Sequence, residues 1–128
     1  MKILIIEDDL FFQKFYSSKL IENGFEIQTA NDGVEGLAKI KEFKPDLVVL
    51  DIIMPNKDGY QVLDELNKEG ITKKIPILVF STLGQEKDVE KAMQLGAIGY
   101  VNKSYFDFKV FLNKINDLLI KKTNDHSG

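Results

Sequence analysis

The sequence has no cysteine, only three prolines and a single histidine, His126, within seven residues of its end. Without cysteine, disulfides and thiolate metal sites are excluded, which fits a reducing, cytoplasmic compartment. No apolar run is long enough for a secretory signal or a membrane span. The net charge is also small, −3, since 17 basic residues nearly balance 20 acidic ones. This balance argues against direct nucleic-acid binding, which usually needs a basic stripe.

The sequence does contain enough apolar residues, 44% of 128, to bury the core of one domain without disulfides or metals. Short apolar runs alternate along the chain with segments whose apolar residues recur every three or four positions. The runs predict five strands, at residues 2–6, 25–29, 46–50, 76–80 and 97–101. The periodic segments predict five helices, within residues 10–24, 32–43, 60–70, 86–96 and 107–122.

Three of the predicted helices are indicated by apolar residues at helical spacing. These residues are Phe12, Tyr16 and Leu20 in the first helix, Val34, Leu37 and Ile40 in the second, and, on one face of the last, Phe108, Phe111, Ile115 and Leu118. We therefore expect a domain at residues 1–121. Residues 122–128 have nothing to bury and should form a frayed tail, in which a lone His126 is expected to be inert.

Regular alternation of strands and helices predicts parallel pairing, because each helix provides the crossover between neighbouring strands. The continuous apolar runs suit strands that are covered on both faces. The fold class is therefore α/β, a doubly wound five-stranded parallel sheet with five helices. In such sheets, ligands bind outside the carboxyl ends of the strands.

Polar side chains follow four of the five predicted strands, and the topology should bring them to one edge. They are Glu7, Asp8, Asp9, Asp51, Ser81, Thr82 and Lys103. Each could have an ordinary structural role when taken singly, and for Asp9 a helix cap is the better assignment. Their conjunction at one edge is what predicts a functional site.

Crowded carboxylates repel each other unless a cation neutralises them. The sequence has no cysteine, and its one histidine lies near the C-terminus. The metal ligands at this edge would therefore all be oxygens, which suit Mg²⁺. A metal, an ammonium and a hydroxyl around an aspartate form a pocket for a phosphoryl group, in which the aspartate can attack in line. Asp51 is therefore a candidate nucleophile.

From residue 2 to about residue 120, the chain resembles the receiver domain of two-component response regulators. The matching segments are "EDD" after the first strand, "DIIMPNKDG" around the third, "FST" at the fourth and "GAIGYVNK" before Lys103. Four such segments in order make a specific signal. The resemblance implies the flavodoxin-like strand order 2-1-3-4-5. It also implies a single-domain switch, similar to a chemotaxis regulator, that takes part in two-component signalling or a phosphorelay.

The resemblance also implies a role for each acidic residue of the site. Asp51 corresponds to the phosphoacceptor, and Asp8 to the direct ligand of Mg²⁺ or Mn²⁺. Glu7 corresponds to the acid that holds metal-bound water, and the backbone carbonyl of Ile53 completes the protein's share of the metal shell.

Four further residues correspond to the phosphoryl-binding and switch positions. Lys103 would pair with phosphoryl oxygens, and Ser81, with Thr82 beside it, would bond another. Tyr100 resembles the aromatic residue that turns inward as the hydroxyl moves. An alternative for Tyr100, a strand-edge tyrosine with its tip in water, stays open.

The family's donor is a histidine kinase or a phosphotransfer protein, and the implied output is contact with a downstream protein. The implied partner surface is built from the fourth helix, the fifth strand and the fifth helix. On this interpretation the chain assists its own phosphorylation and dephosphorylation but is not a turnover enzyme. No membrane and no direct nucleic-acid contact are expected.

The sequence departs from the family in two places. Ser104 follows Lys103 where the family has a proline with a cis peptide, and whether this peptide is cis stays open. Ile53 and Leu83 occupy the two positions that tune dephosphorylation, beside a Thr82 that is bulkier than usual. Since neither aliphatic side chain can hydrogen-bond an attacking water, we expect slow self-dephosphorylation.

Three other kinds of protein could share this architecture. A degenerate receiver would act as a phosphorylation-independent interaction module, which the intact set of acids, hydroxyl and lysine disfavours. A flavodoxin would want a phosphate loop after the first strand, where "EDDLFF" would repel a phosphate. An aspartyl-phosphate hydrolase would need a second acid after Asp51, where Ile52 and Ile53 stand.

Overall fold

A computed structural model describes residues 1–105 and 107–127, including all of their side chains except those of residue 105 and residues 122–127. The strands are β1 (Lys2–Ile6), β2 (Glu26–Ala30), β3 (Leu47–Leu50), β4 (Ile77–Ser81) and β5 (Gly99–Asn102). The helices are α1 (Leu10–Glu22), α2 (Gly33–Phe43), α3 (Gly59–Lys68), α4 (Glu86–Gln94) and α5 (Phe108–Ser127), with short 3-10 turns at Ile71–Lys73 and Lys103–Tyr105.

The strands form one parallel sheet in the order β2-β1-β3-β4-β5, which confirms the predicted fold class and strand order. All residues of β3 and β4 are buried, as continuous apolar runs predict, whereas β2 at the edge is mostly exposed or half-buried. Helices α1 and α5 cover one face of the sheet, and α2, α3 and α4 cover the other. Each face of the sheet is thus covered by its own hydrophobic core.

Aspartate side chains cap three helices at this carboxyl edge. Asp9 Oδ1 accepts from the backbone N–H groups of Phe11 and Phe12 at 2.9 and 3.2 Å, as predicted for a helix cap. Asp32 caps α2, and Asp58 forms a capping box with Gln61 at the start of α3. The loops that carry the site are thereby anchored at their helix ends.

The inward face of α2 does not coincide with the apolar residues that indicate this helix in the sequence. Val34 is 55% exposed, while the buried face comprises Gly33, Gly36, Ile40 and Phe43. A Cβ atom at Gly36 would overlap the side chain of Ile6, so the glycine lets α2 approach the sheet closely. Val34 lies on the opposite side of the helix from this glycine contact, so the apolar spacing that predicts the helix does not by itself mark its buried face.

The apolar face predicted for the last helix is confirmed, with Phe111, Ile115 and Leu118 buried and Phe108 half-buried. Helix α5 extends to Ser127, but the side chains of residues 122–127 and all of residue 128 lie outside the described part. The expectations for this tail and for His126 therefore stay predictions. Among the described helices, none is both long and apolar enough to cross a bilayer.

Replacing Ile115 with alanine is expected to lower the free energy of unfolding by about 2–5 kcal/mol, because it leaves a cavity in the core. Ile120 on the same helix is a matched control, since it is 60% exposed whereas Ile115 is fully buried. Ile120→Ala should change stability by no more than about 0.5 kcal/mol. Urea unfolding measures both values, and equal effects would contradict the packing described for α5.

Candidate phosphoryl-transfer site

The site begins where β1 and β3 end, at the centre of the sheet. The backbone N–H of Glu7 donates to the carbonyl of Ala30 at 3.0 Å, and that of Asp51 donates to the carbonyl of Ile6 at 3.0 Å. The sheet hydrogen bonds thus continue one residue beyond each strand. Both carboxylates are held on ordered backbone, and both residues are buried.

Lys103 supplies the positive charge of the site. It follows β5 in the turn Lys103–Tyr105, and the described residues contain no cis peptide, so the bond to Ser104 is trans. Its Nζ forms an ion pair with Glu7 Oε1 and lies 3.4 Å from Asp51 Oδ2. All three side chains are at least nine-tenths buried, so solvent does little to screen this charge cluster.

Burial and charge crowding both act on Glu7. Loss of solvation on burial, with a smaller contribution from the neighbouring Asp51, raises the pKa of Glu7 to about 7, despite the opposing effect of Lys103. Lys103 therefore does not fully offset the cost of burying Glu7 as a charged carboxylate. A second cation at this site would favour the charged form of Glu7.

The acidic residues have donors that fit Mg²⁺. Glu7, Asp8 and Asp51 can each offer a carboxylate oxygen, and these oxygens lie within 4.8 Å of one another. Asp8 is exposed, whereas Glu7 and Asp51 are buried, and Mg²⁺ bound by carboxylates usually keeps several waters. Ile53 lies in the same loop with its side chain 53% exposed, and the role of its carbonyl stays a prediction.

The hydroxyl residues sit at the end of β4. Ser81 is fully buried, and its Oγ accepts from the backbone N–H of Leu83 at 3.2 Å, whereas Thr82 is exposed. The hydroxyl of half-buried Tyr100 donates to the carbonyl of Leu83, so its tip is bonded to the protein and is not simply in water. Burial is the main cause that raises the pKa of Tyr100.

Sequence reasoning missed several residues that support the site. The ring centroids of Phe12 and Phe80 lie 4.8 and 5.5 Å from the ammonium of Lys103. The side-chain amide of Gln13 is buried and donates to the carbonyl of Glu7 at 2.8 Å. In the sequence, Phe12 is only one of the apolar residues that indicate a helix, and no sequence signal distinguishes Gln13.

Gly59 is a further missed residue. A Cβ atom there would overlap the backbone carbonyl of Asp51 and lie 2.7 Å from Cα of Ile52, so only glycine fits without moving the loop. Its backbone N–H donates to the carbonyl of Ile52 at 2.8 Å. The signal was present as the final glycine of "DIIMPNKDG", but without coordinates it indicated no more than a turn.

Comparison with known proteins agrees with this geometry. The family model for the response regulator receiver domain matches residues 3–116. The chemotaxis protein CheY of Treponema pallidum is 36% identical over 121 residues, which cover 92% of this chain and 82% of that protein. The transcriptional regulator RpaA of Synechocystis is 36% identical over 118 residues, covering 92% of this chain and 48% of that protein.

Several of the curated relatives are longer than this chain. The probable transcriptional regulator ycf29 of Pyropia yezoensis is 34% identical over 120 residues, covering 94% of this chain and 54% of that protein. The chain thus spans about half the length of such relatives.

Solved structures show the same architecture. The receiver domain of the Francisella response regulator 1452 superposes with a TM-score of 0.87 at 29% identity, covering 94% of this chain and 97% of that one. The BeF3-activated receiver domain of Klebsiella pneumoniae RstA gives a TM-score of 0.86 at 26% identity, covering 93% and 98%. The family model matches most of the sequence, and the strand order and the acidic edge agree with it. The chain therefore belongs to the response regulator receiver domain family of two-component signalling.

Proposed function

We propose that this chain is a Mg²⁺-dependent phosphorylation switch whose phosphoacceptor is Asp51. The observation that carries the proposal is the position of the Asp51 carboxylate, buried at the carboxyl edge between two further acids and the ammonium of Lys103. A merely structural aspartate would not need three charged neighbours. An in-line phosphoryl transfer needs each of them.

Glu7, Asp8 and Asp51 would hold the metal, with the carbonyl of Ile53 as a further ligand. When bound, Mg²⁺ neutralises charge on the phosphoryl oxygens and offsets the repulsion between the acids. Asp51 Oδ1 accepts a hydrogen bond from the backbone N–H of Ile52 at 2.8 Å, which fixes the plane of the carboxylate. The other oxygen, Oδ2, is the one nearer Lys103.

In the transfer step, an Asp51 oxygen forms a bond to phosphorus while the bond from phosphorus to the donor nitrogen breaks. The imidazole of the donor phosphohistidine leaves with that electron pair. Lys103 stabilises the charge on the transferring group as a point cation. The product is an aspartyl phosphate, which adds negative charge beside Lys103.

This added charge would bias the switch residues. Lys103 and Ser81 would each bond a phosphoryl oxygen, with Thr82 at the rim, and Ser81 would then give up the N–H of Leu83. Tyr100, bonded to the carbonyl of the same Leu83, would sense the change in that loop. The result is a shift in the population of two surface states.

The phosphoryl donor that we propose is a histidine kinase or a phosphotransfer protein, and we propose that the transfer takes place in the cytoplasm. The receiving surface for a downstream protein would be formed by α4, β5 and α5. The transcriptional regulators among the relatives are longer proteins, so their names imply no direct nucleic-acid contact for this chain. The chain would act as a switch and not as an enzyme that turns over external substrates.

Incubation with a small acyl phosphate, followed by intact-mass measurement, tests the proposal. We expect one added phosphoryl group with Mg²⁺ present and none when the metal is chelated. The variant Asp51→Asn should stay unmodified under both conditions. A folded wild-type protein that forms no adduct would instead favour the phosphorylation-independent interaction module.

The phosphorylated protein is expected to hydrolyse slowly. Ile53 and Leu83 stand at the positions where a polar side chain could orient water, and both are aliphatic. Loss of the adduct, followed by intact mass in Mg²⁺ buffer after the donor has been removed, gives the half-life. The matched variant Ile53→Gln should shorten it, since the amide can hold a water at this exposed position. A half-life of seconds in the wild type would contradict this prediction.

A further inference from the structure

We propose that Phe12 is a positioning residue for Lys103, holding the ammonium against the acids of the site by a cation–π contact. This inference rests on the proposed function, because it concerns the lysine that would bind the phosphoryl group. Phe12 belongs to α1, whereas Lys103 follows β5. The contact therefore joins two elements that are distant in sequence but adjacent at the carboxyl edge.

The surroundings of the ammonium are carboxylates and aromatic rings. Lys103 Nζ pairs with Glu7 and Asp51, and the ring centroids of Phe12 and Phe80 lie 4.8 and 5.5 Å away. Both distances are within the range of a cation–π contact. The lysine side chain is only 4% exposed, so the rings replace water that would otherwise solvate the charge. Such contacts are stronger when desolvated.

The ring of Phe12 is itself held in place from two directions. Its backbone N–H is bound by the cap Asp9, at the first turn of α1. Its ring stacks on Tyr16 at 5.8 Å with an interplanar angle of 7°, and it meets the edge of Phe11 at 5.8 Å. Tyr16 is buried and packs against Phe80 in turn. A ring fixed in this way can set the position of a flexible lysine.

Aromatic rings suit a lysine that has to move within its pocket. A hydrogen bond restricts the ammonium to one direction, whereas attraction to a ring face varies little over small displacements. The ammonium can therefore move from Glu7 towards a phosphoryl oxygen while it keeps the contact with Phe12. The ring also forms no hydrogen bond that would compete with the phosphoryl oxygens.

Removing the ring should therefore slow phosphorylation without unfolding the protein. Phe12 is half-buried, so Phe12→Leu keeps an apolar side chain where some exposure is tolerated. A desolvated cation–π contact corresponds to roughly a 5- to 30-fold effect, which we expect on the maximal rate of phosphorylation. Phe12→Tyr keeps the ring and should retain most of the wild-type rate.

Phe15→Leu is the matched control. The ring of Phe15 lies on the same helix and contacts Phe11 and Tyr16, with Lys19 as its nearby cation. The same substitution there should leave phosphorylation unchanged. Thermal unfolding of all three variants would establish that they are folded at the assay temperature.

Lysine NMR measures the contact directly, without phosphorylation. Protons on the last side-chain carbon of Lys103 should resonate upfield, because the ammonium bonded to that carbon lies over two rings. Phe12→Leu should move them downfield, whereas Phe15→Leu should not. If Phe12→Leu leaves these resonances in place, or phosphorylates as fast as wild type, the proposal is wrong. A wild-type protein that forms no adduct would overturn the proposed function, and the resonances would still decide whether the ring holds the lysine.

Discussion

Replacing Asp8 with asparagine is expected to weaken Mg²⁺ binding at least about 10-fold and to slow phosphorylation correspondingly when the metal is below saturation. Asp8 is the exposed member of the acidic trio, whereas the two buried members are the ones paired with Lys103. Its charge is therefore available to a metal. The change to asparagine keeps the size and one oxygen of the side chain but removes the charge that a hard cation requires.

The neighbouring Asp9 provides the matched control. Its carboxylate caps α1, and asparagine caps a helix about as well as aspartate. Asp9→Asn should therefore keep both metal affinity and phosphorylation. Mg²⁺ titration by calorimetry and intact-mass measurement of the adduct compare the two variants. Equal losses in both would mean that general negative charge, and not a ligand at Asp8, determines metal binding.

Replacing Lys103 with methionine is expected to lower the free energy of unfolding by about 3 kcal/mol in metal-free buffer near neutral pH. The substitution keeps the approximate length of the side chain but leaves Glu7 and Asp51 buried without their cation. The effect falls at the low end for a broken buried ion pair, because Glu7 can take up a proton from solvent.

A second substitution, Glu7→Gln, should restore most of that stability. In the double variant, only one of the two mutually repelling carboxylates, that of Asp51, remains. The apolar methionine at position 103 then lies beside the neutral amide at position 7. Urea unfolding of the wild type, both single variants and the double variant forms a complete cycle. If the double variant is as unstable as the sum of its singles, the three charges do not interact as the distances indicate.

The sheet was predictable because its strands are covered on both faces. A short, continuous apolar run such as Leu47–Leu50 is typical of a buried parallel strand, and alternation with helices then determines parallel pairing. Helix faces were less predictable where small residues pack. In α2 the contact depends on Gly36, which carries no hydrophobic signal, whereas the apolar spacing that indicates the helix includes Val34, which is 55% exposed.

The charged residues of the site were predictable for a topological reason. Parallel strands end at one edge, so Glu7, Asp51 and Lys103 had to approach one another. The supporting contacts were not predictable, because they join residues across elements. Periodicity places Phe12 on an inward face but does not say that its ring meets an ammonium.

Asp51 itself should carry the phosphoryl group. Borohydride reduces an aspartyl phosphate to homoserine, and peptide mass mapping then identifies the residue that was modified. We expect homoserine at position 51 after treatment with an acyl phosphate and Mg²⁺, and unchanged aspartate at positions 8 and 9. Homoserine at another acidic residue, or none in a protein that binds Mg²⁺ and is folded, would contradict it.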